Sequence, residues 1–283
     1  MSISWYPGHM HKASKELAKL MREVNIVIEV LDARAPAASS NPLLPDLSKG
    51  LPCIKLLNKA DLADPEITSA WQKHFNSQKH VICLINGLDQ NLSRAQITEA
   101  AKKLQRERFA APRSKHELAI LGSPNVGKST LLNKLADKKL AKTGNEPALT
   151  RYQQRIKLDE GWYLVDTPGM LWPKLDDQAG AQKLAILGSI RNTAVNTEDI
   201  AWFAAELMLA NFRANLITRY AVTANIQTAE QLLEKIAERR GGISRGGRVN
   251  LYKASEALLN DLRSGKLGRI SLEQAPEMTP EAL

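Results

Sequence analysis

Cysteine is scarce in this chain. Cys53 and Cys83 are 2 among 283 residues. They form no C-x-x-C pair and have no paired histidine nearby, which excludes a disulfide framework and gives no basis for a zinc site. Both lie in apolar stretches, LPCIKLLN and HVICLIN, and read as buried reduced thiols on strands. Long hydrophobic runs are also missing. No stretch approaches the length of a membrane span, and the leading MSISWYPGHMHKASKE has no apolar core of a signal peptide. No glycine follows the initiator and no terminal CaaX is present, so lipidation is not expected. These absences predict a cytoplasmic protein with no membrane partner. Acidic residues are in deficit: 30 Asp and Glu face 39 Lys and Arg, a net charge of +9. That balance favours a polyanionic partner, nucleic acid before an anionic lipid surface. What remains, 43% hydrophobic and 24% charged residues, is the composition of a globular chain with a sizeable core.

The positive charge is clustered. Residues 102–115 carry six Lys or Arg against one acid, residues 134–157 seven against two, and residues 239–253 five against none. Residues 181–283 hold 13 Lys or Arg and 11 acids, so the surplus there is 2, and the remaining 7 of the +9 belongs to the first 180 residues. A surface for phosphate backbones should therefore include the 102–115 segment and the neighbourhood of residue 150.

Hydrophobic periodicity predicts an amphipathic helix over 12–24, with Leu17, Leu20, Met21 and Val24 on one face. Strands are predicted in NIVIEVLDAR, CIKLLNKAD, HVICLING and HELAILG, with helices in ITSAWQKHFNS, 92–108 and KSTLLNKLA. A hairpin follows in RYQQRIKLDEGWYLVDT. APAASSNPLLP reads as a loop and AAPRSKH as a linker. Strands alternating with helices imply an α/β domain with a parallel, doubly wound sheet. Beyond about residue 178 the strand signal stops, and AQKLAILGSI, DIAWFAAELMLANF, ITRYAV, TAEQLLEKIAERR and NLYKASEALLNDLRSG read as consecutive helices. The expected domains are 1–178, α/β, and 179–283, a small all-helical domain. Trp202, Phe203, Leu207 and Phe212, at near-helical spacing, read as core.

Residues 122–130, GSPNVGKST, match G-x-x-x-x-G-K-[ST] between an apolar strand and a helix. Gly122 and Gly127 permit a turn through Ser123, Pro124, Asn125 and Val126 whose available backbone N–H groups surround phosphates, with the helix N-terminus behind them. Lys128 would reach the β- and γ-phosphates, and Ser129 would ligate Mg²⁺ beside Thr130. In WYLVDTPG, an apolar run ends in Asp-x-x-Gly. Asp166 is then the carboxylate near Mg²⁺, and Gly169 offers its N–H to the γ-phosphate. Thr150 is the candidate switch threonine for Mg²⁺ and γ-phosphate, with Thr143 as the alternative.

NKAD at 58–61 names the base. Asp61 can accept from guanine N1–H and N2–H₂, a donor pair adenine lacks. Asn58 can donate to N7, and the Lys59 stem can cover the ring. Asn86 and Gly87 end the next strand, where a backbone N–H would meet guanine O6. The order of motifs is informative. An ordinary small GTPase runs P-loop, DxxG, NKxD, whereas here NKAD comes first. One sheet can carry all three only if the chain is circularly permuted, with the new break between DxxG and NKxD. The segment after Gly169 then runs into the helical domain.

The chain thus resembles the circularly permuted ribosome-biogenesis GTPases of the RbgA/YlqF type. The residues that carry the resemblance are WYPGHMHKA, VLDARAPAASSNP, NKAD, GSPNVGKST, DTPGMLWPK and SGKLGRISLE, spread over nearly the whole length. The resemblance implies a permuted P-loop GTPase domain and a GTPase acting late in large ribosomal subunit maturation. It also implies a carboxy-terminal helical domain on ribosomal RNA. The expected cycle binds RNA in the GTP state and releases it after hydrolysis, with a monomer off the ribosome. In many GTPases a glutamine after DxxG orients the attacking water; here the residue is Met170. The resemblance implies that a histidine of the amino-terminal motif takes that role. It maps to His9, with His11 as the rival. It further implies a K⁺ held through Asn125, supplying charge where an arginine finger would otherwise act. Asp32 and Arg34 end a strand on the nucleotide edge, as active-site support or as a structural ion pair. In the helical domain Arg239, Arg240, Arg245, Arg248 and Lys253 are the candidate RNA contacts, next to glycine pairs that let the backbone approach phosphates. Two other readings are a signalling GTPase, which the missing lipidation sites disfavour, and a nucleotide-gated RNA-binding module in which hydrolysis is incidental.

Overall fold

The computed structural model describes residues 17–108, 115–136, 155–167, 177–190, 196–242 and 249–277. They divide into two compact units. The first holds the described residues up to 167 together with 271–277, and the second spans 177–270.

The first unit is built on a six-stranded sheet. Strands β1 (Ile26–Asp32), β2 (Cys53–Asn58), β3 (Val81–Ile85), β4 (His116–Gly122), β5 (Arg155–Asp159) and β6 (Trp162–Asp166) lie in the order β3-β2-β1-β4-β6-β5. All neighbours are parallel except β5, which turns back on β6 as the expected hairpin. The central β1 is buried along its whole length, as a parallel strand covered on both faces must be. Its alternate side chains go to different layers. Ile26, Ile28 and Val30 join Ile54, Leu56, Leu118, Ile120 and Leu164 under helices α4 (Arg94–Arg108) and α5 (Lys128–Ala136). Val27 packs with Leu17, Leu20, Met21 and Val24 of the segment that precedes β1, and Leu31 packs with Trp71 and Phe75 of α3 (Pro65–Asn76). Between these two clusters stands a buried Glu29. It pairs with Lys55 of the adjacent strand and accepts from Asn41 N–H at 2.7 Å.

The APAASSNPLLP segment departs from its loop reading. It forms two short helices, α1 (Pro36–Ser39) and α2 (Leu44–Ser48), each with proline in its first turn, where the missing N–H costs nothing. Cys83 is buried as expected, whereas Cys53 at the start of β2 is half-buried.

The second unit is all helical: α6 (Gln178–Ile186), α7 (Thr197–Asn211), α8 (Arg213–Tyr220), α9 (Ala229–Arg240) and α10 (Leu251–Arg263). Three helix starts are capped by the residue type the chain supplies there. Asn196 and Asn250 accept from the backbone, and Thr228 forms a reciprocal capping box with Gln231. The core reading of the α7 aromatics is corrected. Ile200, Ala201, Ala204, Ala205 and Met208 are buried, while Trp202 is 40% exposed and Phe203, Leu207 and Phe212 are half-buried. Small residues face the neighbouring helices because they allow close approach, and the bulky ones are left on the flanks. The helices are also joined by charge. Asp261 of α10 accepts from Arg219 Nε at 2.8 Å and Tyr220 Oη at 2.9 Å of α8, and from Arg240 of α9.

The domain limit also shifts. Residues 271–277, assigned by sequence to the helical domain, pack on the sheet unit. Leu272 N–H donates to the Arg34 carbonyl at 2.7 Å, and Ala275 joins the Leu31–Trp71 cluster. The helical periodicity of the region ends at Arg263, and no periodic signal says where the following extended residues go.

Candidate nucleotide site

Parallel pairing brings the carboxyl ends of the strands to one edge. Asp32 lies opposite Asn58, Leu57 opposite Ile85, Val30 opposite Gly122, and Ile120 opposite Asp166. In an open α/β sheet, ligands bind at this edge. The three motifs, scattered and permuted in the chain, therefore meet in space.

The phosphate loop leaves β4 at Gly122 and enters α5 at Lys128. Two residues in it have left-handed backbone, Asn125 with φ 61° and Gly127 with φ 94°. At Gly127 the requirement is also steric, since a Cβ there would collide with the Asn58 amide. That amide donates to the Val126 carbonyl at 2.7 Å, and Lys59 Nζ donates to the Asn125 carbonyl at 2.6 Å. The NKAD loop is thus lashed to the back of the phosphate loop. The expectation that Asn58 and Lys59 serve the base is joined by a second role: both orient the loop that holds phosphates. Asn86 Nδ2 in turn donates to Asn58 Oδ1 at 2.6 Å.

Asp61 lies in a 3₁₀ turn, Ala60–Leu62, half-buried, with Oδ1 accepting from Leu88 N–H at 3.1 Å. Gly87 is the close neighbour. A Cβ on it would stand 2.8 Å from Asp61 N and 2.9 Å from Oδ1. Glycine at 87 is what lets the strand-end loop lie against the carboxylate. Asn86, Gly87 and Asp61, predicted from three separate places, form one wall.

Lys128 is buried and donates to Asp166 Oδ1 at 2.8 Å and to the Thr167 carbonyl. Among the described residues Asp166 Oδ2 has no hydrogen-bond partner although it is buried. A buried carboxylate oxygen without a donor is costly unless a cation completes it. Mg²⁺ fits this donor set: a hard oxygen at the start of a phosphate site, with the Ser129 hydroxyl in the first turn of α5. Ser123, Pro124 and Val126 are buried in the loop, and Thr130 is exposed. Ser123 Oγ donates to the Ser39 carbonyl at 3.0 Å.

Asp32, open between site support and a structural pair, forms a buried ion pair that also reaches Lys59. Arg34 clasps Asp32 through Nε and an NH₂, each at 2.9 Å, and Lys59 Nζ reaches the same carboxylate at 3.0 Å. Burial pushes the Asp32 carboxyl up, but Arg34 and Lys59 outweigh it and hold it well below the usual carboxylate range. Asp32 therefore stays ionised and fixes the Lys59 ammonium beside the phosphate loop. Thr167 was not singled out from sequence. Its hydroxyl donates to the Ile120 carbonyl at 2.7 Å and so anchors the end of β6 to β4.

His9, His11, Thr143, Thr150, Gly169, Met170, Arg245 and Arg248 lie outside the described residues. Of the helical-unit candidates, Arg239 and Lys253 are exposed. Arg240 is also exposed, but its guanidinium is committed to Asp261.

With this geometry in hand, comparison with known proteins decides the family. The model described as RsgA GTPase matches residues 26–176, and that described as 50S ribosome-binding GTPase matches 117–239. Ribosome biogenesis GTPase A of Bacillus pumilus is 39% identical over 97% of this chain and 99% of its own. The chain belongs to the ribosome biogenesis GTPase A family. The Thermotoga maritima member is 33% identical over 98% of this chain and 97% of its own. The crystal structure of GNP-bound YlqF from that organism superposes with a TM-score of 0.66, at 28% identity, covering 94% of this chain and 100% of the other. Membership makes the chain a GTPase. The family's permuted order matches the sheet, in which β2 with NKAD precedes β4 with the phosphate loop yet lies beside it across β1 alone.

Proposed function

We propose that the protein is a GTP-hydrolysing factor for late assembly of the large ribosomal subunit, which binds ribosomal RNA in the GTP state and leaves after hydrolysis. The observation that carries the nucleotide half is the lashing of the NKAD loop to the phosphate-loop carbonyls through Asn58 and Lys59. Base recognition and phosphate binding are one rigid assembly in spite of the permuted order. The ribosome-assembly half is supported by the family's name, the large subunit by the matching model described as 50S ribosome-binding, and an RNA partner by the basic surplus of +9.

In the proposed cycle, Asp61 reads guanine N1–H and N2–H₂ while Gly87 offers its wall. Lys128 leaves Asp166 for the β- and γ-phosphates, since a phosphate oxygen replaces the carboxylate as its partner. Asp166, Ser129 and Thr150 would hold Mg²⁺. When bound, this cation would neutralise charge developing on the β- and γ-phosphates. Gly169 offers its N–H to the γ-phosphate. His9 orients the water, as a neutral imidazole can near pH 7. Asn125 takes part in holding K⁺. Arg239, Arg245, Arg248 and Lys253 contact RNA phosphates, whereas the guanidinium of Arg240, the fifth candidate, is held by Asp261. The domains act as 1–178 and 179–283, apart from the return of 271–277. Off the ribosome the factor is a cytoplasmic monomer.

The test is GTP turnover with and without large-subunit precursor particles, in K⁺ and in Na⁺. Particles should raise the rate by about tenfold or more, as docked partners do for other GTPases, and His9→Ala should abolish that rise. An unchanged rate with particles would sink the proposal in favour of an RNA-binding module with incidental hydrolysis. Equal rates in the two salts would remove the K⁺ assignment alone.

A further inference from the structure

The segment that returns from the helical unit lands on the nucleotide edge. Three successive residues make the landing. Ser271 Oγ accepts from Asp64 N–H at 3.1 Å. Leu272 N–H donates to the Arg34 carbonyl at 2.7 Å. The Glu273 carboxylate accepts from Ala37 N–H at 2.7 Å and Ala38 N–H at 3.2 Å, while its carbonyl accepts from Trp71 Nε1 at 3.4 Å.

Each landing point is joined to a nucleotide loop by a short chain of contacts. Arg34 holds Asp32, which holds Lys59, which holds the Asn125 carbonyl of the phosphate loop. Helix α1, whose first N–H groups Glu273 satisfies, ends at Ser39. The Ser39 carbonyl accepts from Ser123 of the phosphate loop, and its hydroxyl accepts from Asp32 N–H at 3.1 Å. Asp64 caps α3 immediately after the turn that carries Asp61. Helix α1 has no side-chain cap from its own N-cap residue, Ala35. The carboxylate that a helix start calls for is instead supplied from a remote part of the chain.

We propose that residues 271–273 form a positioning strap for the nucleotide site, with Glu273 as its positioning residue. The strap touches neither phosphate nor base. It holds α1 and the Arg34–Asp32–Lys59 relay in the arrangement that nucleotide requires. Seating of the strap and binding of guanine nucleotide are then coupled, and the coupling is reciprocal. Nucleotide should tighten the strap as much as the strap tightens nucleotide.

Two measurements on the full chain test this. The first is hydrogen exchange at the Leu272 amide, with and without saturating GDP. GDP should slow exchange there by about fivefold or more, the lower end of typical coupling between sites. The second is nucleotide affinity of Glu273→Ala and Glu273→Asp. Glu273→Ala should raise the Kd for GDP and the KM for GTP about fivefold or more, with a smaller change in kcat. Glu273→Asp should recover part of the loss. A structural prop with no link to the site would leave the Leu272 amide indifferent to GDP, and that result overturns the proposal even if Glu273→Ala fails to fold. Wild-type GDP affinity in a folded Glu273→Ala overturns it as well. Because the two deciding readouts, exchange at the Leu272 amide and the Kd for GDP, need no ribosomal particle, they do not depend on the ribosomal reading.

Discussion

At the scale of single residues, Asp61 is the proposed reader of the base. Its Oδ1 is steadied by Leu88 N–H, and Gly87 leaves no room for anything between loop and carboxylate. Asp61→Asn exchanges an acceptor for a donor. It should weaken GTP binding by about 10²-fold or more, since an unpaired buried donor pair on the base loses two charge-assisted bonds. Binding should move toward xanthosine triphosphate, whose C2 carbonyl can accept. Competition between the two nucleotides measures this. The thiols give a second residue-level expectation. Burial pushes Cys53 and Cys83 up to about 12, so neither presents a thiolate near neutral pH. A chromogenic disulfide at pH 8 should react with the buried Cys83 only as the protein unfolds. Fast reaction of Cys83 in the native state would contradict the packing.

At the scale of elements, Asp261 joins α8, α9 and α10. Burial raises its pKa, and the bonds from Arg219, Arg240 and Tyr220 outweigh that and lower it. A carboxylate held below its unfolded value contributes stability that is present above the unfolded pKa, about 4, and is lost as pH falls through the folded one. Thermal melts of the full chain should therefore show the helical unit weakening below about pH 4. Asp261→Asn should flatten that dependence and cost about 1.5–3 kcal/mol near pH 7, the range for hydrogen bonds to a charged group. The partners are partly exposed, which places the value toward the lower end. The elements themselves were largely legible, because buried parallel strands and amphipathic helices carry their period in the chain. The exceptions have physical reasons. Proline and serine in APAASSNPLLP suggest loops, yet proline is at home in a helix's first turn, so α1 and α2 were missed. Hydrophobicity alone marks the Trp202 face as core, but shape decides which residues are buried. Close helix packing selected Ala201, Ala204 and Ala205 instead.

At the scale of the whole molecule, charge is the feature that reaches beyond the nucleotide. If Arg239 and Lys253 contact phosphates, reversing both should lower particle affinity and reduce the salt slope of binding by about one to two units of log–log slope, close to one per lost contact. Titrations across a range of KCl concentrations measure it. An unchanged slope would move the RNA surface to the 102–115 and 134–157 clusters, where most of the surplus charge lies.

The chain by itself determined the chemistry of this protein. GSPNVGKST, WYLVDTPG and NKAD state phosphate, metal and guanine, because each needs a particular residue type at a fixed local spacing. Their order states the permutation. What only the tertiary structure decided is how these motifs support one another. Asn58 and Lys59 brace the phosphate loop, Asp32 steadies Lys59, and Glu273 caps α1 from the far end of the chain. Such contacts join residues far apart in sequence. They follow from sheet register and from the path of an extended tail, neither of which leaves a periodic trace in the chain.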